Sequence, residues 1–348
     1  MEDTRNKILL ARYVAPVFTP RDETRNVNYS IIPKYVNYLI STGVQGILVG
    51  GSAGQGILQP NSERLSVARA FIAAADGRIT VIVHAGGVNY EDTLSLCREL
   101  SVTEGVDGIM LSSPMFYPYY TYSGMLEFLC DAGKACNGKP VLYYHFPSLT
   151  RLQYDVVDLV KSLKKRLRNF VGLKYTANDE EIYKRLVKQK IKIFLGFPSM
   201  TLVGAQTQGG QVSLITGPTN FVNGVMVRIV DLVLEGNSRK AKTIQKDLDD
   251  LMTMVVVEQE LMSAMTHVMD FVGLPMGPPV KPLSDLTESQ KRIMKGNLNK
   301  VGSEGKYIDM LDRYDAHTET ASIYTSYLLI GTLAYLFYKL VNTKVNSS

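Results

Sequence analysis

The sequence predicts an α/β chain folded as a (β/α)8 TIM barrel with a C-terminal helical extension. Three observations carry this reading. Eight apolar, β-branched runs recur up to residue 216. Segments with helical spacing of apolar residues lie between them. The strand-plus-helix repeat is about 25–35 residues, the size of a βαβ unit, and eight such units fill a barrel of about 250 residues.

In order, the expected strands are 12–20 (RYVAPVFTP), 46–51 (GILVGG), 79–86 (ITVIVHAG) and 108–114 (GIMLSSP). The remaining four are 140–147 (PVLYYHFP), 170–176 (FVGLKYT), 191–197 (IKIFLGF) and 210–216 (GQVSLIT). They are apolar almost throughout, as parallel strands buried on both faces are. Helices are expected over 31–43, 62–77, 90–105, 124–138 and 180–190. KSLKKRLR at 161–168 reads as the solvated face of another helix. It lacks the interleaved aromatics of a nucleic-acid surface, so no nucleic-acid partner is expected. A doubly wound open sheet is the alternative, but TPRDET stands where its glycine fingerprint would follow the first strand.

After residue 220 the strands stop. NGVMVRIVDLVLEG and the long run from Lys242 to Gly273 are helical by period, and supply the eighth barrel helix and the extension. GLPMGPPVKPL (273–283) interrupts them, and KRIMKGNLNKVG reads as a last helix. The expected divisions are 1–235 for the barrel, 236–316 for the extension and 321–341 for a tail. Residues 321–338 carry no charge and hold tyrosines near both ends. That is close to the shortest stretch able to cross a bilayer as a helix. The tail is therefore expected to anchor a cytoplasmic barrel to an intracellular membrane. The competing reading packs the tail against protein.

Composition adds exclusions. The 348 residues are 45% hydrophobic and 20% charged, with a mild net charge of +5. Cys97, Cys130 and Cys136 form no CxxC pair and have no accompanying histidine cluster. A metal site or disulfide framework is not expected, no cofactor is called for, and a reducing compartment fits. The charged N-terminus, MEDTRNKILLARY, carries no secretory signal.

In barrels of this kind the chemistry sits at the C-terminal strand ends. Lys174 ends the sixth strand, Tyr144 lies near the end of the fifth, and Ser52 follows the second in GGSAGQG. Lys174 shares parity with Gly172 and Phe170, and Tyr144 with Leu142, so each can point inward. A partly desolvated lysine loses its proton more readily, and its neutral amine can attack a ketone to form a Schiff base. The iminium then draws electrons from the adjacent carbon–carbon bond, which is aldol chemistry without a metal. A structural lysine reaching the barrel mouth is the plain alternative. Tyr144 could move the proton with the lysine or iminium beside it, or be a core tyrosine. Backbone N–H groups of GGSAGQG could converge on an anion, or form an ordinary βα turn. His84 and His145 have no carboxylate neighbour in sequence and read as core or supporting residues.

GGSAGQG, YYHFPSLT, FVGLKYT and GLPMGPPVKPL, in this order and spacing, resemble the family of N-acetylneuraminate lyase and dihydrodipicolinate synthase over roughly residues 10–285. The animal lyases look nearest. The resemblance implies a barrel that is usually tetrameric and acts on pyruvate or another 2-keto acid. It implies Lys174 as the Schiff-base lysine and Tyr144 as the proton shuttle. Ser52 and nearby amides, Ala53 among them, would hold the pyruvyl carboxylate, while Thr176 and Gly196 match positions that contact the sugar.

The departures are as informative. Ala53 and Gln55 replace a second hydroxyl and a glutamate of the family's turn. Phe116, with Tyr117 next to it, falls where bacterial members send a tyrosine to a neighbouring subunit. Pro198 and Ser199 stand where lyases carry an Asp-Glu pair that grips the polyol. Leu214 falls where a serine follows strand eight. The expected activity is a class I aldolase cleaving N-acetylneuraminate, or a similar 2-keto acid, to pyruvate and N-acetylmannosamine or another aldehyde. The rivals are a pyruvate aldolase with a different aldehyde and a membrane-tethered barrel without catalysis.

Overall fold

Each of the eight apolar runs holds one strand. They are β1 (Tyr13–Pro16), β2 (Gly46–Val49), β3 (Thr80–His84), β4 (Gly108–Ser112), β5 (Val141–His145), β6 (Phe170–Tyr175), β7 (Lys192–Leu195) and β8 (Leu214–Ile215). The computed structural model describes residues 2–115, 121–152, 154–256, 261–302 and 305–312. These lie within the compact unit Met1–Arg313. The strands pair in parallel in chain order, and β8 returns to β1 through Tyr13↔Leu214 and Val14↔Ile215, which closes the barrel. The expected barrel is therefore the observed one.

The helices follow the βα rhythm. α1 (Glu2–Leu10) precedes the barrel; α2 (Ile32–Ser41), α3 (Asn61–Ala75), α4 (Tyr90–Val102) and α5 (Tyr122–Ala135) follow β1 to β4. After β5 come a one-turn helix, α6 (Pro147–Thr150), and α7 (Val156–Arg166). Then α8 (Glu180–Val187), α9 (Thr201–Thr207) and α10 (Asn223–Leu234) follow β6, β7 and β8. Side-chain caps start several of them: the Asp155 carboxylate accepts from Val157 N at 2.7 Å, and Asp179 from Ile182 N at 2.9 Å. In α7 the apolar Val157, Val160 and Leu163 are buried while Lys161, Lys164 and Lys165 are exposed. The basic run is a solvated helix face.

The barrel interior is filled by Val14, Leu48, Ile82, Met110, Leu142, Tyr144, Val171, Phe194 and Ile215, with Ile8 and Ala11 joining the same cluster. Ile8 of α1 meets Gly108 at the start of β4, so α1 plugs the N-terminal end of the barrel. The charged, weakly amphipathic sequence of α1 gives no sign of a helix.

One inward position differs from simple alternation. Val141 pairs with Phe170 but Leu142 pairs with Gly172, so β6 carries one extra residue as a bulge. Val171, not Phe170, therefore joins the interior cluster. Beyond the bulge Tyr144 pairs with Lys174, and Lys174 with Phe194.

The extension contains α11 (Ser238–Val255), α12 (Leu261–Val272) and α13 (Glu288–Leu298), so the long helical run is two helices rather than one. Thr287 and Gln290 form a capping box at the start of α13. Residues 273–283 pass back over the barrel mouth, where Val280 N donates to Gln55 Oε1 at 2.7 Å. Among the described residues no helix is long and apolar enough to cross a membrane. The tail at 321–341, its uncharged stretch 321–338 and Phe116 with Tyr117 lie outside the described residues.

Candidate active site

The glycine turn after β2 is tight. Gly50 adopts φ +70°, and a Cβ at Gly56 would collide with the Gly50 carbonyl. Only glycine lets these backbone segments approach so closely. Gln55, at φ 55°, takes a left-handed conformation inside the same turn. Its side-chain oxygen is the one that holds Val280, so it serves as a strut to the 273–283 segment. Ala53 is buried under the turn, and Ser52 stays partly open.

The turn delivers Ser52 to the end of β5, where Ser52 Oγ lies 3.0 Å from the Tyr144 hydroxyl. Lys174 Nζ sits 4.2 Å from the centroid of the Tyr144 ring. The lysine is only 3% exposed and Tyr144 5%. Among the described residues no carboxylate forms an ion pair with Lys174; the electron-rich ring face is its near neighbour. Ser52, Tyr144 and Lys174 thus form one contiguous group at the C-terminal end of the barrel.

His84, at the end of β3, extends that group. Its ring packs edge-on to Tyr144 with centroids 6.0 Å apart, and its Nε2 lies 3.2 Å from Ser112 Oγ. Arg64 of α3 donates through Nη2 to the carbonyls of His84 (2.7 Å) and Gly86 (3.0 Å) and approaches His84 Nδ1 at 3.4 Å. Arg64 thus ties down the backbone at His84 and Gly86, and leaves the ring held between Arg64 on its Nδ1 side and Ser112 on its Nε2 side. Burial, then the charges of Arg64 and Lys174, push the His84 pKa down to about 3, so the imidazole is neutral at physiological pH. His145 stacks on Tyr175 at 5.7 Å, and burial lowers its pKa to about 4. Among the described residues its Nδ1 has no hydrogen-bond partner, and neither histidine has gained a carboxylate partner.

A cavity of about 420 Å³ opens over this group, within the usual size of small-molecule sites. Its polar lining is Ser52, Gln55, His84, Ser112, Tyr144 and Thr150. The rest is glycine or apolar, including Ile57, Leu58, Phe146, Leu149, Met262 and Leu283. Lys174 lies against the Tyr144 ring rather than on this wall. Among the described residues no group of His, Cys, Asp and Glu could hold a metal ion.

The other sequence-derived candidates stand on a separate rim, at the ends of β6 and β7. Thr176 and Gly196 are together there: a Cβ on Gly196 would strike Thr176 Oγ1, which is buried without a partner among the described residues. Pro198 and Ser199 start the next turn with their polar groups engaged. The Pro198 carbonyl accepts from Thr201 Oγ1 (2.7 Å) and Gln245 Nε2 (3.1 Å), and Ser199 Oγ lies 3.1 Å from Asn178 Oδ1. Leu214 does not follow the last strand but lies within it, fully buried; Thr216, also buried and with its hydroxyl unpartnered among the described residues, comes after.

A family model for the dihydrodipicolinate synthetase family matches residues 9–301, most of the chain. The chain belongs to that family. Its curated relatives include the N-acetylneuraminate lyase of Rattus norvegicus, 27% identical over 282 residues, covering 79% of this chain and 87% of the relative. The Homo sapiens N-acetylneuraminate lyase is 28% identical over 293 residues, covering 81% and 91%. The solved N-acetylneuraminate lyase of Proteus mirabilis superposes with a TM-score of 0.78 at 23% identity, over 83% of this chain and 97% of that one. A 2-keto-3-deoxygluconate aldolase from Sulfolobus superposes at 0.74 with 20% identity, over 82% and 94%. Those superpositions establish the shared barrel. Membership in the dihydrodipicolinate synthetase family makes the chain a lyase, as the motifs around Tyr144 and Lys174 implied.

Within that family frame, the sequence reading passed over Arg64, Ser112 and the apolar wall. A buried arginine in an amphipathic helix reads as a surface residue. The wall is assembled from five separate segments, Met115 after β4 among them, none with a pattern of its own.

Proposed function

We propose that the protein is a class I aldolase for 2-keto acids that release pyruvate. The juxtaposition of Lys174 Nζ, the Tyr144 ring and Ser52 Oγ carries this reading. The Lys174 amine attacks the keto carbon, and the carbinolamine hydroxyl leaves as water with the proton of the Tyr144 phenol, which gives the iminium and a phenolate ready to accept. The bond between C3 and C4 breaks, its electrons flow to the iminium, and the C4 hydroxyl proton passes to the Tyr144 oxygen. The aldehyde departs. Tyr144 returns the proton to C3 of the enamine, and a water molecule hydrolyses the imine to free pyruvate and the amine. Ser52 orients the Tyr144 oxygen and, with the N–H groups of the glycine turn around Ala53, faces the pyruvyl carboxylate. The cation on the lysine nitrogen stabilises the negative oxygen as it develops. Neutral His84, fixed by Arg64, keeps Ser112 and the floor of the cavity in place.

N-acetylneuraminate is the relatives' substrate by name, and it is the reference compound for this site. A polyol chain reaching toward Thr176 and Gly196 would meet Pro198 and Ser199, whose polar atoms are already engaged. Each unpaired hydroxyl costs about 1–3 kcal/mol. A coupled assay of pyruvate release from a panel of 2-keto acids tests the proposal. Turnover of at least one, with N-acetylneuraminate weak, is expected; no pyruvate from any would refute it. In the same assay the double change Pro198→Asp with Ser199→Glu lowers KM for N-acetylneuraminate by roughly tenfold, the worth of one recovered hydrogen bond. Family-like affinity of the unmodified protein would refute the argument about this rim.

We also propose that residues 321–338 tether the barrel to a membrane, supported by eighteen consecutive uncharged residues. Full-length protein should remain in an alkaline-carbonate pellet, and a 1–318 form should be soluble and folded. Soluble full-length protein, or unfolding on truncation, would assign the segment to the fold.

A further inference from the structure

The apolar wall of the cavity is not used by any step above. It is continuous with the reacting group, because Tyr144, Ser52 and His84 form part of the same lining. It is built from the short turn at Ile57 and Leu58, from Phe146 and Leu149 around α6, from Met262 of α12 and from Leu283. Phe146 stacks on Tyr144 itself, with ring centroids 5.8 Å apart. Leu58 and Leu149 are 42% and 47% exposed, so water contacts bare leucine at the mouth.

The polar lining offers little to a hydroxylated chain. Ser52 and Tyr144 face each other, as do His84 and Ser112. Gln55 Oε1 accepts from Val280 N, and Thr150 Oγ1 donates to the Phe146 carbonyl at 3.1 Å. A polyol laid on this wall would give up water without replacement. An apolar chain would release water from both surfaces.

We infer that the aldehyde partner of this site is an apolar one, aliphatic or aromatic, and that the product formed with pyruvate is a 4-hydroxy-2-oxo acid with an apolar tail. The inference rests on the aldolase reading above. In the condensing direction Lys174 and pyruvate lose water to give the imine, and Tyr144 takes a proton from its methyl carbon. The resulting enamine carbon bonds to the aldehyde carbon. Tyr144 returns the same proton to the new alkoxide, and water hydrolyses the imine. No oxidant or further reactant is needed.

The test is kcat/KM for condensation of pyruvate with a panel: N-acetylmannosamine and erythrose against butanal, hexanal, 3-methylbutanal and benzaldehyde. Formation of a borohydride-trapped pyruvate adduct on Lys174 is measured in parallel. Efficiency should rise roughly fourfold per added methylene from butanal to hexanal. The best apolar aldehyde should exceed N-acetylmannosamine by at least about a hundredfold. Leu149→Asn should cut the hexanal value by roughly tenfold and narrow the preference. Trapping at Lys174 with the sugar aldehydes preferred, or with no apolar aldehyde consumed, overturns the inference and leaves the aldolase reading intact. Absence of trapping removes both. If Leu149→Asn alters the assembly state but not the preference, the leucines belong to a contact between copies and the inference is wrong.

Discussion

Incubation with pyruvate and borohydride leaves a reduced pyruvyl group on Lys174 and on no other lysine. The expectation follows from where this amine lies. It is 3% exposed, lies one residue before the end of a strand whose residues are all buried, and among the described residues has the Tyr144 ring 4.2 Å away in place of an ion-pairing carboxylate. The surface lysines differ: Lys161, Lys184 and Lys246 each pair with an acidic residue one helical turn away. They have no floor against which a keto acid could be held. Lys174→Ala should abolish the adduct and lower turnover by about 10⁴-fold or more, the scale seen when a covalent nucleophile is deleted. Lys174→Arg keeps a cation and most of the packing but cannot form the imine, so it should be equally inactive. Intact-protein mass and peptide mapping read the result. Mass unchanged by the treatment, or an adduct that survives in Lys174→Ala, would end the Schiff-base reading. Thermal unfolding of both variants separates loss of chemistry from loss of fold.

The parts of this site that were legible in the sequence are those that a strand pattern exposes. A lysine ending the run Phe170 to Leu173 interrupts an apolar strand, and that interruption needs a reason. The same logic located Tyr144, because β5 and β6 are neighbours and their ends meet. What stayed hidden depends on insertion and assembly. The extra residue at Val171 exchanges which side chains face inward, and nothing in FVGLKYT marks it, since Phe170, Val171 and Leu173 are equally apolar. Ile8 lies in a short, charged helix with little amphipathic signal, yet closes the barrel floor. The one-turn α6 is too short to have a period. Leu149 therefore gives no sign in the sequence that it borders a cavity together with Met262, more than a hundred residues away. The departures at Pro198 and Ser199 were legible as substitutions. Their physical meaning needed the structure, which shows their polar atoms bound within the chain.

Tyr144→Phe should lower turnover by roughly 10²–10⁴-fold, the range for a positioned acid–base group. The substitution keeps the ring, and with it the support for Lys174 Nζ and the stacking with Phe146. It removes only the oxygen that faces Ser52 Oγ at 3.0 Å. Beyond the loss of water, two steps need that oxygen: taking the C4 hydroxyl proton as the carbon–carbon bond breaks, and delivering a proton to the enamine carbon. Trapping of pyruvate on Lys174 should survive at a lower rate, because the amine's attack does not require the phenol to break that bond. This separation of trapping from turnover distinguishes a proton carrier from a merely structural tyrosine, whose loss would weaken both together. Solvent exchange into the methyl group of pyruvate gives a second readout, since it reports proton transfer to the enamine without any aldehyde. It should fall in parallel with turnover. Ser52→Ala should give a smaller loss of the same kind, because it leaves the phenol in place but without its oriented partner. The nearest substitute for the lost group is His84, but burial and two neighbouring cations hold it neutral with a pKa of about 3, too weak a base to take the proton at neutral pH. Near-normal turnover and exchange in Tyr144→Phe would therefore contradict both the role given to Tyr144 and the account of His84.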